Sequence, residues 1–241
     1  MPNSPPVPES SGNRLLDSLP PEERTRLVSQ MAVAPITPHD MLVPPGTAMR
    51  KVYFPTSGVI SLMTPLEDGG AIETATIGYE GMVGVHAFLG GGGLSSLLAM
   101  SQVPGEMLVM DVDHFRAEAT APGKLPAVLH AYTQALFAQI SQAVACNVSH
   151  EIQQRTAKWL LQTHDRAKAD SFELTQEFLA DMLGVTRPSV TVAARSLQSA
   201  GLISYRRGGI SVLDRAGLED ASCECYGATQ REYERLIGGP E

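Results

Sequence analysis

The apolar positions of the chain change their spacing near its middle. Between Val33 and Val112, short apolar runs such as KVYFP, GVISLMT and AIETATI alternate with turn segments rich in Gly and Pro. Evenly spaced short strands of this kind indicate a β-sandwich or barrel. Two short helices are expected over Arg14–Met31, and the Pro- and Ser-rich Met1–Asn13 is expected to be a disordered tail.

From Leu125 to Ser149 the spacing becomes helical. Apolar or small side chains recur at steps of three and four residues, namely Leu129, Tyr132, Leu136, Ile140, Ala143 and Asn147. Such a stripe either packs on its own domain or pairs with a second copy along a coiled-coil seam, and the spacing fits both. Helix propensity drops at Asn147 and Ser149, which predicts a hinge before a further helix over Glu151–Asp165.

The stretch from Leu174 to Ile203 predicts two short helices joined by a tight turn. Thr175 and Thr186 are suitable N-caps, and Gly184 fits the left-handed conformation at the end of the first helix. The second helix has an inward apolar stripe and an outward polar face; the stripe is Val190, Ala193, Ala194 and Leu197, and the outward residues are Arg187, Thr191 and Arg195. This is the pattern of a helix-turn-helix, although an ordinary helical hairpin with a solvated face has the same spacing.

A predicted β-hairpin follows the second helix directly. The segments ISYRR and ISVLD flank Gly208-Gly209, and a glycine pair between two short strands is typical of a tight hairpin turn. Arg206 and Arg207 lie beside its tip. A hairpin in this place is a wing, so the segment is interpreted as a winged helix-turn-helix.

The segment VTRPSVTVAARSLQSAGLI resembles the DNA-binding domain of the Crp/Fnr superfamily of bacterial transcription regulators, and KVYFPTSGVISLMTPLEDGGAIETATIGYEGMVGV resembles its sensor domain. The resemblance implies an α+β fold with an N-terminal double-stranded β-helix jelly roll. It further implies a long dimerisation helix and a C-terminal winged helix-turn-helix. The expected divisions are a tail at 1–13, a cyclic-nucleotide-binding-like sensor domain at 14–124, a dimerisation helix at 125–149 and a DNA-binding domain at 150–241.

The resemblance also implies the partners and the contacts. The expected partners are double-stranded DNA, a second copy of the chain and RNA polymerase, with an inverted-repeat operator. The expected DNA-binding residues are Thr175, Gln176, Thr186, Arg187, Ser189, Thr191, Arg195, Arg206 and Arg207. Of these, Arg187 is the candidate for reading a guanine edge. The expected dimer interface is the stripe from Leu129 to Asn147 described above.

The sensor segment departs from the cyclic-nucleotide-binding members of the family. Their ribose-binding Glu and phosphate-binding Arg are replaced by Met82 and Ser95, and no Arg or Lys lies between Lys51 and Arg116. Because an unpaired buried phosphate is costly, cyclic AMP is not expected as the effector, if there is one. The expected effector pocket comprises Gly81, Met82, Gly84, Ser95, Ser96, Ile140 and Ser141.

Charge and cysteine content restrict the function further. The net charge is −8, yet the 31 residues from Val185 to Arg215 carry five arginines and one acid, Asp214, a local charge of +4. Three cysteines, Cys146, Cys223 and Cys225, are too few for a four-thiolate cluster, and the six histidines show no close ligand spacing. No cofactor and no metal site are therefore expected.

Two other classes of protein are considered. A ligand-binding regulatory module of the same fold that does not bind DNA has no reason to carry Arg187, Arg195 and the two arginines of the wing. A jelly-roll oxygenase needs two His and a carboxylate on adjacent strands, and His39, His86 and His114 are dispersed. An enzyme is not expected. Neither a membrane-spanning run nor a signal sequence is present, so the expected location is the cytoplasm.

Overall fold

The computed structural model describes residues 10–67, 69–90, 95–206 and 208–238 of the chain. Its helices are α1 (Arg14–Asp17), α2 (Pro21–Val28), α3 (Val112–Thr120), α4 (Leu125–Ser149), α5 (Ile152–Ala167), α6 (Gln176–Leu183), α7 (Arg187–Ser199), α8 (Arg215–Asp220) and α9 (Cys225–Ile237). Its strands are β1 (Ala32–Ile36), β2 (Met41–Val43), β3 (Lys51–Pro55), β4 (Val59–Pro65), β5 (Ala71–Ile77), β6 (Leu98–Val103), β7 (Gly105–Asp111), β8 (Ser171–Glu173), β9 (Ile203–Arg206) and β10 (Gly209–Val212). The predicted α+β fold class is confirmed. Within the described ranges, every helix is too short or too polar to cross a membrane.

Two antiparallel sheets form the N-terminal domain. One has the strand order β1-β7-β3 and the other β2-β6-β4-β5. The three runs KVYFP, GVISLMT and AIETATI form β3, β4 and β5. Strand β4 is buried on both faces: Ile60 and Leu62 belong to the core between the sheets, whereas Val59 and Met63 belong to a second core shared with the C-terminal half. Burial on both faces explains why this strand is apolar along most of its length.

The N-terminal boundary of the ordered chain differs from the prediction. Asn13 is fully buried and caps α1, with its side-chain oxygen accepting from the amide of Leu16. Its side-chain nitrogen donates to the carbonyls of Pro55 (2.8 Å) and Gly81 (2.9 Å). Residues 10–13 are therefore part of the fold and do not form a disordered tail, since a buried amide with these partners holds the backbone in place. The rest of the predicted tail lies outside the described residues.

Helix α4 covers the range predicted for the long helix, but its predicted dimer stripe faces inward. Leu129, Tyr132 and Leu136 are buried in the core of the same chain, and the Tyr132 hydroxyl donates to the Met82 carbonyl at 2.7 Å. Ile140 packs against that core. The assignment of Leu129, Tyr132 and Leu136 to a dimer interface was wrong, because side chains with almost no exposed surface have little to offer a second copy. The spacing has the other origin considered for it, which is packing of the stripe on its own domain.

The remaining residues of the predicted stripe lie beside the C-terminal half. Ala143 and Asn147 border a small cavity between α4, β5 and α5. Helix α9 packs along the neighbouring side of α4, where the Tyr233 hydroxyl donates to Gln139 Oε1 at 2.8 Å. The apolar side chains of α4 that reach solvent are Phe137, Val144 and Val148. At 3.6 residues per turn, the stripe formed by these three residues is turned by roughly 100° around the helix from the predicted one.

The C-terminal half packs directly on the β-sheets of the same chain. A buried ion pair joins Arg166 of α5 to Glu80, with 2.7 Å between Nε and Oε1. Nearby, the carboxylate of Glu73 on β5 accepts from Trp159 Nε1 (3.0 Å), Ser61 Oγ (2.6 Å) and Gln102 Nε2 (2.5 Å). Trp159 is the only tryptophan of the chain, so its fluorescence reports on this contact.

Burial gives Glu73 a pH-dependent role. Desolvation raises the pKa of Glu73 to about 7, despite the three hydrogen bonds that act in the opposite direction. The folded-state pKa lies above the usual value of 4.5. The protonated carboxyl group therefore stabilises the folded protein, and this contribution is complete below about pH 4.5. The contribution, on the order of 3 kcal/mol, is lost as the pH rises through about 7.

We therefore expect Glu73→Gln to reduce the pH dependence of stability. The wild-type melting temperature, followed by Trp159 fluorescence, should fall between pH 5 and pH 8 by roughly 5 to 10 °C more than that of the variant. The exposed carboxylate Glu67 provides a matched control, and Glu67→Gln should keep the wild-type slope. Parallel slopes for the wild type and Glu73→Gln would contradict the role given to this carboxyl group.

Candidate nucleic-acid interface

Local signals define the two helices of the helix-turn-helix. The Thr175 hydroxyl accepts from the amide of Phe178 and so caps α6, and Gly184 ends that helix with a φ of +63°. Thr186 occupies the N-cap position of α7, but its hydroxyl pairs with that of Ser189 at 3.0 Å instead of with a backbone amide. Helix α6 and helix α7 are tied together by the Thr191 hydroxyl, which donates to Gln176 Oε1 at 2.6 Å.

Helix α7 has one buried face and one solvent face. The predicted inward stripe of Val190, Ala193, Ala194 and Leu197 is buried, and the helix packs on α5 and α6. Arg187 and Arg195 are exposed, whereas Ser189 and Thr191 are half-buried. Val192 is not among the expected DNA-binding residues, yet it is 67% exposed on the outward face, opposite the buried stripe.

The wing is a three-stranded sheet and not a two-stranded hairpin. Strand β10 pairs with β9, as predicted, and also with β8, which precedes α6. The sheet is joined to α7 because the amide of Tyr205 donates to Gln198 Oε1 at 2.8 Å. The Tyr205 hydroxyl donates to the Leu174 carbonyl at 2.8 Å. Arg206, at the end of β9, is exposed, and Arg207 lies outside the described residues.

One of the five arginines counted in the local charge has a structural role. Arg215 forms ion pairs with Asp165 (2.7 Å) and Glu219 (2.9 Å). Its positive charge is therefore compensated within the domain, and the predicted local charge of +4 was too high. Among the described residues of the segment, Arg187, Arg195 and Arg206 remain as exposed cations without an ion pair.

The predicted effector pocket is only partly assembled. Met82, Gly84 and Ser95 line a cavity of about 100 Å³ in the N-terminal domain, and Leu136 of α4 closes one side. Gly81 lies outside it, against the ring of Tyr132, and Ser96 and Ser141 are exposed. Ile140 packs on the core and does not line this cavity.

The cavity is mainly apolar and its described lining residues include neither Arg nor Lys. The Ser95 hydroxyl is occupied by its contacts with Leu97. His86 differs, because its Nε2 is buried without a hydrogen-bond partner in the described structure, and burial lowers the pKa of its imidazole. The cavity therefore offers one neutral polar group in an apolar surrounding.

Comparison with known proteins identifies the C-terminal half. Residues 154–221 match the family model of the Crp-like helix-turn-helix domain. No curated protein sequence matches the chain. Among solved structures, FixK2 from Bradyrhizobium japonicum is similar, with a TM-score of 0.66 and 18% identity, over 80% of this chain and 98% of that one.

Two further structures show the same fold. TTHA1359 from Thermus thermophilus, a transcriptional regulator of the CRP/FNR family, has a TM-score of 0.64 at 20% identity over 79% of this chain and 98% of that one. A putative regulator of the same family from Eubacterium rectale has a TM-score of 0.65 at 14% identity, over 88% of this chain and 99% of that one.

The pair of helices α6 and α7 and the small sheet beside them define a winged helix-turn-helix. Residues 154–221 are therefore a helix-turn-helix domain of the Crp-like type, and the described chain has the fold of these three solved structures.

Proposed function

We propose that the chain acts as a homodimer that binds an inverted-repeat operator and responds to an effector other than cyclic AMP. The supporting observation is the outward face of α7, where exposed cations and Val192 surround a helix whose other face is buried. Two such helices in one dimer enter successive major grooves about 34 Å apart.

The residues of this face divide into two roles. Arg187 reads a guanine edge through its planar guanidinium, a contact that contributes roughly 1–3 kcal/mol of discrimination. Val192 contacts a thymine methyl group, since an exposed apolar side chain on a recognition helix has that base edge available. Ser189, Thr191 and Arg195 contact bases or phosphates. Thr175, Gln176, Thr186, Arg206 and Arg207 hold the DNA backbone and set the orientation of the helix.

The dimer forms along the exposed stripe of α4, which we call the α4 seam: Phe137, Ser141, Val144 and Val148. These positions alternate steps of four and three, as the core positions of a coiled coil do. Phe137 is 71%, Val144 63% and Val148 85% exposed in the single chain. A second copy of the seam covers this apolar surface, which otherwise faces water.

Charge in the α4 seam should separate the two subunits. Phe137→Glu combined with Val144→Glu should convert the wild-type dimer into a single chain in size-exclusion chromatography with light scattering. The reason is that pairing would bury unpaired carboxylates. The variant should also lose affinity for a duplex with two half-sites.

Val33→Glu is the matched control, because Val33 is an equally exposed apolar residue (70%) that belongs to β1 and not to α4. It should remain dimeric. A double variant of the seam with the mass of two chains would rule out this interface.

The effector binds in the cavity beside α4. A volume of about 100 Å³ is below the roughly 150 Å³ that admits benzene in an engineered cavity, so the effector is small and largely apolar. His86 Nε2 is the group available to hydrogen bond with it. A cyclic phosphate finds no cation there, which supports the exclusion of cyclic AMP.

Cyclic AMP at millimolar concentration should leave the melting temperature unchanged. A ligand present at 100 times its dissociation constant stabilises the native state by about 2.7 kcal/mol, which corresponds to several degrees for a chain of this size. Differential scanning fluorimetry detects such a rise. A saturable increase with cyclic AMP, absent with 5′-AMP, would contradict the proposed selectivity.

A further inference from the structure

Three thiols and one imidazole meet where α4 ends. Cys146 and His150 are four residues apart, so they share one side of the helix end. Cys223 and Cys225 lie at the start of α9, which follows the winged helix-turn-helix in the sequence. One ligand atom from each of the four residues lies within 4.8 Å of all the others. The expectation of no metal site was drawn from spacing along the sequence, whereas the fold joins two pairs of residues that are distant in the chain.

The distances within this cluster fit a tetrahedron around one ion. Zinc–sulfur and zinc–nitrogen bonds of about 2.3 and 2.0 Å place neighbouring ligand atoms roughly 3.5 to 3.8 Å apart in tetrahedral geometry. Cys146 Sγ and Cys223 Sγ are 3.6 Å apart, and Cys225 Sγ is 3.5 Å from His150 Nδ1. Two edges of the tetrahedron are therefore close to their metal-bound lengths.

The surroundings of the cluster match those of a metal ligand set. The second ring nitrogen of His150, Nε2, is 3.1 Å from the Glu224 carboxylate, and a carboxylate in that position orients a ligating imidazole. Gln142 Nε2 donates to Cys225 Sγ at 3.0 Å.

Two simpler roles explain less. As packing residues, the buried thiols should belong to an apolar core, yet they form a cluster of their own outside both. As a disulfide, Cys146 and Cys223 would have to approach from 3.6 Å to about 2.05 Å. That bond would leave the convergence of Cys225 and His150 without a purpose.

We propose that Cys146, His150, Cys223 and Cys225 bind one zinc ion in a tetrahedral site with three thiolates and one imidazole. A ligand set of this composition and geometry is typical of structural zinc sites, and it leaves no open position for catalysis.

Such an ion would connect both ends of the winged domain to α4. The ligands Cys146 and Cys223 are 77 residues apart, and the helix-turn-helix lies between them. His150 is the first of two extended residues between α4 and α5, with φ −116° and ψ 146°. Coordination of His150 would hold the angle between these helices, because a bound imidazole restrains one of the two residues that join them. The zinc ion is thus a clamp between the long helix and the DNA-binding half.

Metal analysis of the full-length protein tests the proposal. Protein expressed with zinc in the medium and purified under reducing conditions without chelator should contain one zinc per chain by inductively coupled plasma mass spectrometry. His150→Gln and Cys225→Ser should each lower zinc occupancy at least tenfold in the presence of a competing chelator. His114→Gln, at an exposed histidine of α3, should retain the wild-type content.

Two measurements on the wild-type chain do not depend on how the variants fold. Replacement of zinc by cobalt(II) should produce the visible d–d absorption of a tetrahedral site and thiolate-to-cobalt charge transfer. Removal of the metal by a chelator should lower the melting temperature, and added zinc should restore it. Protein without stoichiometric zinc, a Cys146–Cys223 disulfide in its place, or equal zinc content in His150→Gln would each overturn the proposal.

Discussion

Burial of one face of α7 determines what the rest of this molecule can do. Val190, Ala193, Ala194 and Leu197 have almost no exposed surface, so the residues on the opposite side of the helix must face solvent. The hydrogen bond between Thr191 and Gln176 fixes α7 relative to α6, and the bond between Gln198 and Tyr205 fixes the wing relative to α7. A rigid outward face of this kind is what recognition of a DNA groove requires.

The packing of the C-terminal half on the β-sheets also fixes where the outward face of α7 lies relative to the N-terminal domain. Strand β4 contributes side chains to both cores, and the Arg166–Glu80 ion pair and the Glu73–Trp159 hydrogen bond join the two halves at polar points. A buried ion pair adds little net stability but is strongly unfavourable to break on one side only, so it defines one relative position of the halves. A change at this interface would therefore move the helix-turn-helix as a unit.

The proposed effector cavity and the junction at His150 are linked through α4. Leu136 of that helix closes the cavity, and the same helix ends beside His150, where the winged domain begins. A ligand alters DNA binding only if it favours one arrangement of the two halves over another. In our proposal, α4 is the element whose position the ligand biases, and the ligand set around His150 holds the far end of that helix.

Sequence reasoning succeeded where the signal was local. Thr175, Gly184 and the apolar stripe of α7 define their helices through short-range spacing, and the runs that form β3, β4 and β5 are bounded by turn residues. It failed where the answer depends on what covers a surface: the stripe from Leu129 to Leu136 has coiled-coil spacing, but the β-sheets of the same chain cover it.

Contacts between residues that are far apart in the sequence could not be predicted either. Arg215 was counted as a free cation although one partner, Glu219, is only four residues further on; its other partner, Asp165, is distant in the chain. The convergence of Cys146 and His150 with Cys223 and Cys225 depends on the packing of α9 against α4. The spacing within either pair does not predict that packing.

The central claim is that the outward face of α7 reads an inverted-repeat operator. In-vitro selection of duplexes from a random pool, performed in parallel with the wild type and Arg187→Ala, tests it most directly. We expect the wild type to enrich an inverted repeat with half-site centres about 10 base pairs apart. Arg187→Ala should relax the preference at one symmetric pair of positions while retaining general affinity. The absence of any enriched repeat, or the same sequence preference in both proteins, would contradict the account.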